Sequence, residues 1–184
     1  MLARVVHRRT LEYPAAGGPS ARCETARWPD LEEAAIALLR EAGWVGPAQV
    51  EFRRDARDGS FRLLEVNPRL WGSLPLARLA GVNLVGMWYR MGLGERVAPA
   101  PPAPAGIRLR FAAMEWASAL GQGTWRARLG AVARAAAATL GASIRDGIES
   151  AADPGPGTCY RAEILRRASA RCLSWSGGVR KAVG

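Results

Sequence analysis

The stretch "LLEVNPRLWGS", Leu63 to Ser73, decides how this chain is read. It opens as a strand, and successive side chains on a strand point to opposite faces. Leu64 and Val66 therefore share one face, and Glu65, Asn67 and Arg69 share the other, before Pro68 breaks the run. Working outward, "AQVEFRRDARDGSFRLLEVN" reads as a hairpin, two strands around an Asp58-Gly59 turn. A loop of odd length, Arg57 to Gly59 or five residues, sets Glu51 directly opposite Glu65, and directly paired residues lie on one face. Val50 and Phe52 then join Leu64 and Val66 on a face expected to be buried. A strict two-residue turn would put the two glutamates on opposite faces. Like charges set directly opposite each other are destabilising, and a hard cation between them removes the repulsion. Magnesium takes carboxylate and amide oxygens in octahedral geometry and completes its shell with water and phosphate oxygens. Taken alone, the same alternation also describes an ordinary solvated hairpin face.

The bulk composition narrows the classes. A chain of 184 residues with 49% hydrophobic and 23% charged residues is globular and large enough for a real core. Charges interrupt every apolar run before it could span a bilayer. The start, "MLARVVHRRT", has no apolar segment with a small-residue cleavage site, so no signal peptide is expected. Cys23, Cys159 and Cys172 form no CxxC pair, which indicates neither a disulfide framework nor a zinc site and fits a reducing cytoplasm. The formal net charge of +10 invites a nucleic-acid reading. Against it, the charge is almost all arginine, with Lys181 the only lysine, spread along the chain and not interleaved with stacking aromatics.

Along the chain, "ARVVHRRTLEY" (Ala3 to Tyr13) reads as a strand ended by Pro14, and "PAAGGPS" as a Gly/Pro loop. "PDLEEAAIALLREAG" is the clearest helix, with Asp30 as expected N-cap, Glu32 and Glu33 in the first turn, an apolar stripe of Leu31, Ala35, Leu38 and Leu39, and Gly43 as the stop. Leu74 to Leu93 is apolar and mostly helical, interrupted by Gly81. "APAPPAPAG" (Ala98 to Gly106) is a proline-rich connector, giving an expected division into 1–97, 98–106 and 107–184. After it come a short strand, "IRLRF", and two helices, "WRARLGAVARAAAATLGASI" and "TCYRAEILRRASARCL", joined through the loop "SAADPGPG". The final "SGGVRKAVG" is expected to fray.

"VEF", a hairpin, then "LLEVNPRLWGS" resembles the C-terminal half of the ATP-grasp fold, most of all the carboxylate–amine ligases and the carbamoyl-phosphate-synthase-like and biotin-carboxylase-like members. The resemblance implies an α+β domain, a mostly antiparallel sheet with packed helices, here followed by a helical C-terminal extension. In that family two glutamates and the asparagine hold magnesium ions that bridge the nucleotide phosphates, and the arginine two residues on supports substrate or transferring phosphate. Those positions fall on Glu51, Glu65, Asn67 and Arg69. "VVHRRTLEYP" resembles the family's upstream strand and implies phosphate-side or acceptor-side roles for His7 and for Arg9, which stands where some members have lysine. "AAGGPS" resembles the family's Gly-Gly loop, placing Gly17 and Gly18 at the nucleotide, with Ala16 where relatives often carry threonine.

Apart from the resemblance, a lone histidine on a strand is ordinarily a surface or packing residue, Gly17-Gly18 an ordinary turn, and Trp71 and Trp88 core or interface residues. The resemblance implies ATP and magnesium, with manganese as substitute, and a small carboxylate substrate. It covers roughly Ala3 to Arg96 and not the front half of such an enzyme, whose lysines contact the phosphates. The expectation is therefore the back half of a two-lobed clamp, weakly active or inactive alone, with a separately encoded lobe as partner and an exposed apolar patch where that lobe would pack. A non-catalytic binding module built on the same half-fold is the alternative, with a basic nucleic-acid-binding domain behind it.

Overall fold

The computed structural model of the chain describes residues 1–14, 17–122, 124–140 and 144–179. Its strands are β1 (His7–Glu12), β2 (Ser20–Thr25), β3 (Gln49–Arg54), β4 (Phe61–Asn67), β5 (Arg108–Arg110) and β6 (Arg145–Asp146). Its helices are α1 (Pro29–Glu41), α2 (Leu74–Leu79), α3 (Leu84–Gly92), α4 (Ala112–Leu120), α5 (Trp125–Leu140) and α6 (Gly155–Val179). The fold is α+β, as expected. One sheet has the order β1-β2-β5-β6, and β3 and β4 form a separate two-stranded sheet. Backbone bonds from Ala26 N–H to Val6 O and from Tyr13 N–H to Pro19 O run β1 and β2 antiparallel. Bonds from Thr25 N–H to Ile107 O and from Phe111 N–H to Ala21 O do the same for β2 and β5, while β5 and β6 are parallel.

The chain divides into two compact units, Met1–Arg8 with Glu24–Ile107, and Arg9–Cys23 with Arg108–Gly184. In the first, α1 begins at Pro29 with Trp28 as its N-cap, so Asp30 sits inside the first turn and is not the cap. Proline suits that place because its fixed φ is helical and its missing N–H would have had no partner there. Gly43, at φ +59°, ends the helix by letting the Gly43 and Trp44 N–H groups reach back to the carbonyls of Arg40 and Leu39. Leu76, Ala77, Ala80 and Val82 are buried, and Gly81 separates α2 from α3 at φ +84°. The proline-rich stretch is tied down: Ala100 N–H donates to Leu2 O, the Thr25 hydroxyl to Pro104 O, and Ile107 N–H to the Thr25 hydroxyl.

In the second unit the core gathers Ala21, Cys23, Leu109, Phe111, Met114, Ala119, Ala135 and Ile164. The sequence reading missed three elements here: β2, α4 and the short β6. It also missed a buried ionic cluster. Glu115 is 2% exposed and accepts a 2.5 Å bond from Arg22 Nε, with Arg110 Nη1 3.7 Å from its second oxygen. Asp146 Oδ2 lies 4.0 Å from Arg110 Nε and caps α4 by accepting from Ala112 N–H. Ser176 to Val179, expected to fray, belong to α6, and the remaining residues 180–184 lie outside the described ones. Among the described residues, no helix is long and apolar enough to cross a membrane.

Candidate functional site

The hairpin pairs Glu51 directly with Glu65, as the motif required, but by a different device from the one expected. Asp55 N–H donates to Ser60 O, which closes a loop over Ala56 to Gly59, of even length. From there Arg54 pairs with Phe61, Arg53 with Arg62 and Phe52 with Leu63. Continued without interruption, that register would set Glu51 opposite Leu64 and leave the two glutamates on opposite faces. A β-bulge intervenes: Leu64 has no cross-strand partner, and beyond it Glu51 faces Glu65, Val50 faces Val66 and Gln49 faces Asn67. One extra residue flips the alternation of everything after it, and bulges recur where a side chain must be re-aimed.

One face of the hairpin thus carries Gln49, Glu51 and Arg53 against Asn67, Glu65 and Arg62. Asn67 Nδ2 donates to Glu65 Oε1 at 2.7 Å. With its amino group turned to the carboxylate, Asn67 offers its amide oxygen to anything else that binds, the polarity a cation needs. Gln49, facing Asn67, completes a row of oxygen-bearing side chains that the sequence reading left out, though its alternation with Glu51 in "QVEF" signals it.

The opposite face is not the buried one expected. Val50 and Phe52 are half-buried, but Leu64 is 57% exposed, Leu63 49% and Val66 38%. Cover is seen at the turn end, where the Trp28 and Phe61 rings pack at 5.5 Å between centroids. Leu63, Leu64 and Val66 form an exposed apolar strip.

The other expected site residues are distributed as follows. Pro68, with no N–H to donate, ends β4, and Arg69 N–H folds back onto Asn67 O at 2.8 Å. The exposed Arg69 guanidinium donates to Leu70 O at 3.1 Å. His7 Nε2 lies 3.1 Å from the Ser73 hydroxyl, the last residue of the motif string. Arg9, Gly17 and Gly18 belong to the other unit. There Arg9 stands 3.7 Å from Glu12 and draws down the Cys23 thiol, which burial nonetheless pushes up to about 11. Gly17 has φ +112°, and a Cβ on Gly18 would lie 2.2 Å from Tyr13 O. The close β1–β2 turn therefore demands both glycines, whatever else they do. Ala16 lies outside the described residues.

A family model described as ATP-grasp in the biosynthetic pathway with Ter operon matches residues 2–114. The chain belongs to this ATP-grasp family. The match runs from the segment before β1 through β5 into α4, so it includes the hairpin and the motif string. The chain is also similar to acetyl-CoA carboxylase of Dictyostelium discoideum, 32% identical over 89 residues, 48% of this chain and 4% of that protein. Acetyl-CoA carboxylase 2 of Oryza sativa subsp. japonica is 38% identical over 66 residues, 35% of this chain and 3% of its own length. The Saccharomyces cerevisiae acetyl-CoA carboxylase is 35% identical over 75 residues, 40% of this chain and 3% of its own. The similarity thus spans only a few per cent of these much longer relatives. No solved structure matches.

Proposed function

We propose that this chain is the metal- and phosphate-handling part of an ATP- and magnesium-dependent ligase that activates a small carboxylate and passes its acyl group to an amine or similar nucleophile. The observation that carries the reading is the direct pairing of Glu51 with Glu65, with the Asn67 amide docked on the latter. The donor set fits a hard cation, because two carboxylates and an amide oxygen leave shell positions for phosphate oxygens and water. Among the described residues no group of three His, Cys, Asp or Glu side chains gathers to make a self-sufficient metal centre.

Magnesium held by Glu51, Glu65 and Asn67 would neutralise phosphate charge and template the phosphoryl transfer. In that transfer the substrate carboxylate oxygen attacks the γ-phosphorus of ATP and the bond to the bridging oxygen breaks, so that ADP leaves. The amine then attacks the acyl carbon, phosphate departs, and the amine loses a proton. Arg69 would stabilise charge on the transferring phosphoryl group or the acyl phosphate, since an arginine fork matches phosphate geometry. His7, Arg9, Gly17 and Gly18 would serve the nucleotide side. With Lys181 the only lysine, phosphate-contacting lysines would have to come from another polypeptide segment. The same scarcity favours the second reading, a non-catalytic binding module on the same half-fold. A cytoplasmic setting suits both.

The test is ATP consumption by the purified chain with magnesium and a panel of carboxylates and amines. Little turnover is expected from the chain alone, because clamping the reactants can be worth roughly 7–11 kcal/mol of barrier. Turnover that appears when a lysine-bearing ATP-grasp front lobe is supplied, and disappears with Glu65→Ala, supports the ligase. Nucleotide binding without turnover under both conditions supports the binding module.

A further inference from the structure

The corner between α4 and α5 lies beyond residues 2–114, which the family model matches. Ala135, in the second half of α5, belongs to the core. The first half of the helix does not, because every residue from Thr124 to Leu129 is exposed. Trp125 and Leu129, four positions apart and so on one helix face, are 67% and 61% exposed, and Leu120 at the end of α4 is 56% exposed. Apolar side chains exposed singly need no explanation, but a cluster at one corner does. The charge around this cluster has one sign. From Trp116 to Arg145 the chain carries four arginines and no Asp or Glu. Arg126 lies over the Trp125 ring, 5.3 Å from its centroid, and Arg128 donates to Gln122 O. Neither contact cancels the positive charge.

We propose that this corner docks on an anionic lipid bilayer, with Leu120, Trp125 and Leu129 entering the boundary between headgroups and acyl chains and Arg126 and Arg128 held at lipid phosphates. Each residue type suits its place. An indole has an apolar body and a polar N–H, which seats it at headgroup level. Leucine reaches the acyl boundary. An arginine lays its methylene stem along apolar surface while its guanidinium fork meets phosphate oxygens. Charge attraction alone is screened by salt, and the apolar side chains add a contact that salt does not screen. Side chains more than half exposed stand out from the surface and line no groove, which suits a fluid layer that closes around them. A single-stranded nucleic acid fits less well. Its bases stack on free aromatic faces, and Arg126 already covers one face of the exposed Trp125 ring. The inference is independent of the ligase reading.

The test is sedimentation of the full 184-residue chain with vesicles of phosphatidylcholine, alone or mixed with phosphatidylglycerol. Binding is expected to the mixed vesicles and not to phosphatidylcholine alone. The double variants Arg126→Gln/Arg128→Gln and Trp125→Ala/Leu129→Ala should each weaken it by about tenfold or more. Because the whole chain carries a net charge of +10, this surface must be separated from charge in general. Arg40→Gln/Arg78→Gln removes the same charge from exposed positions in the other unit and should weaken binding by less than about threefold. Insertion is read by quenching of tryptophan fluorescence with lipids brominated along their acyl chains. Trp125→Phe keeps an apolar ring, so it should still sediment with the vesicles but lose most of the quenching. That readout does not depend on the alanine variant folding. No binding to the mixed vesicles overturns the proposal. So do equal losses from the two arginine pairs, or quenching that persists in Trp125→Phe. A single-stranded oligonucleotide that binds through Arg126 and Arg128, with no vesicle binding, overturns it in favour of a nucleic-acid surface.

Discussion

Replacing Glu65 by glutamine separates what the glutamate pair costs the fold from what it gives a cation. Directly opposed side chains on an antiparallel ladder have Cβ atoms about 5 Å apart. Two unit charges at that distance in water repel by about 0.8 kcal/mol. Glu65→Gln removes that repulsion. It also turns the Asn67-to-Glu65 bond, 2.7 Å long in the parent, into a neutral one of roughly half the strength. At an exposed site these two effects are similar in size and opposite in sign, so metal-free stability should change by less than about 0.5 kcal/mol. Metal binding has no such compensation. If losing one ligand charge costs tenfold in affinity, manganese at ten times the parent Kd stabilises the parent by about 1.4 kcal/mol and the variant by about 0.4 kcal/mol. For a chain of this size that is a melting-temperature rise of roughly 3–6 °C against 1–2 °C. The assay is calorimetric titration with manganese beside thermal melts with and without it. Asp58→Asn serves as control, because its carboxylate sits in the loop, bonded to Ser60 N–H. Equal affinity and equal temperature rise for parent and Glu65→Gln would show that Glu65 is not a ligand.

Three further outcomes are expected. Gly18→Ala should cost well over 1 kcal/mol in urea denaturation, because the new methyl group would lie 2.2 Å from the Tyr13 carbonyl oxygen and the turn must open to admit it. Glu115→Ala should cost roughly 3–5 kcal/mol in the same measurement, since it leaves Arg22 and Arg110 beside a position that is 2% exposed without their shared carboxylate. Cys23 should resist iodoacetamide in the native protein while exposed Cys159 reacts, read by peptide mass spectrometry. Because burial raises the Cys23 thiol from 9.0 to about 11, its linked contribution to stability is fully present below pH 9 and lost as pH rises toward 11, which denaturant midpoints across that range would show.

Much of the helical framework was legible because it is written in local chemistry. Pro29 and Gly43 bracket α1, Gly81 divides α2 from α3, and both later helices fall in the alanine- and arginine-rich segments where they were expected. The elements that escaped notice are those whose residues acquire their character from distant partners. β2, "SARCET", contains no apolar run, yet Ser20, Ala21, Cys23 and Thr25 are buried because the strand lies between β1 and β5. Its charged members are matched from elsewhere, Arg22 by Glu115 and Glu24 by Arg8. No periodicity in six residues encodes that. α4 is similar: Glu115 reads as a surface charge until Arg22 and Arg110 are brought to it.

The glutamate pair marks where sequence reasoning was right in result and wrong in cause. Whether two strand residues share a face depends on the parity of everything between them, and both an odd loop and an even loop with one bulge satisfy it. The sequence between Glu51 and Glu65 does not distinguish these. The register does. An unbulged hairpin with an odd loop would pair Phe52 with Leu64. The bulge instead gives Phe52 to Leu63 and leaves Leu64 without a partner, 57% exposed. A leucine in that position is costly to leave in water, by up to about 2–3 kcal/mol relative to burial. Deleting Leu64 should therefore be tolerated. It joins Leu63 to Glu65, continues the register from the turn without a shift, and keeps Glu51 opposite Glu65. If the deletion variant folds and binds manganese like the parent, pairing of the glutamates is what the site requires. If it folds and loses manganese, the local twist that the bulge imposes is part of the site as well.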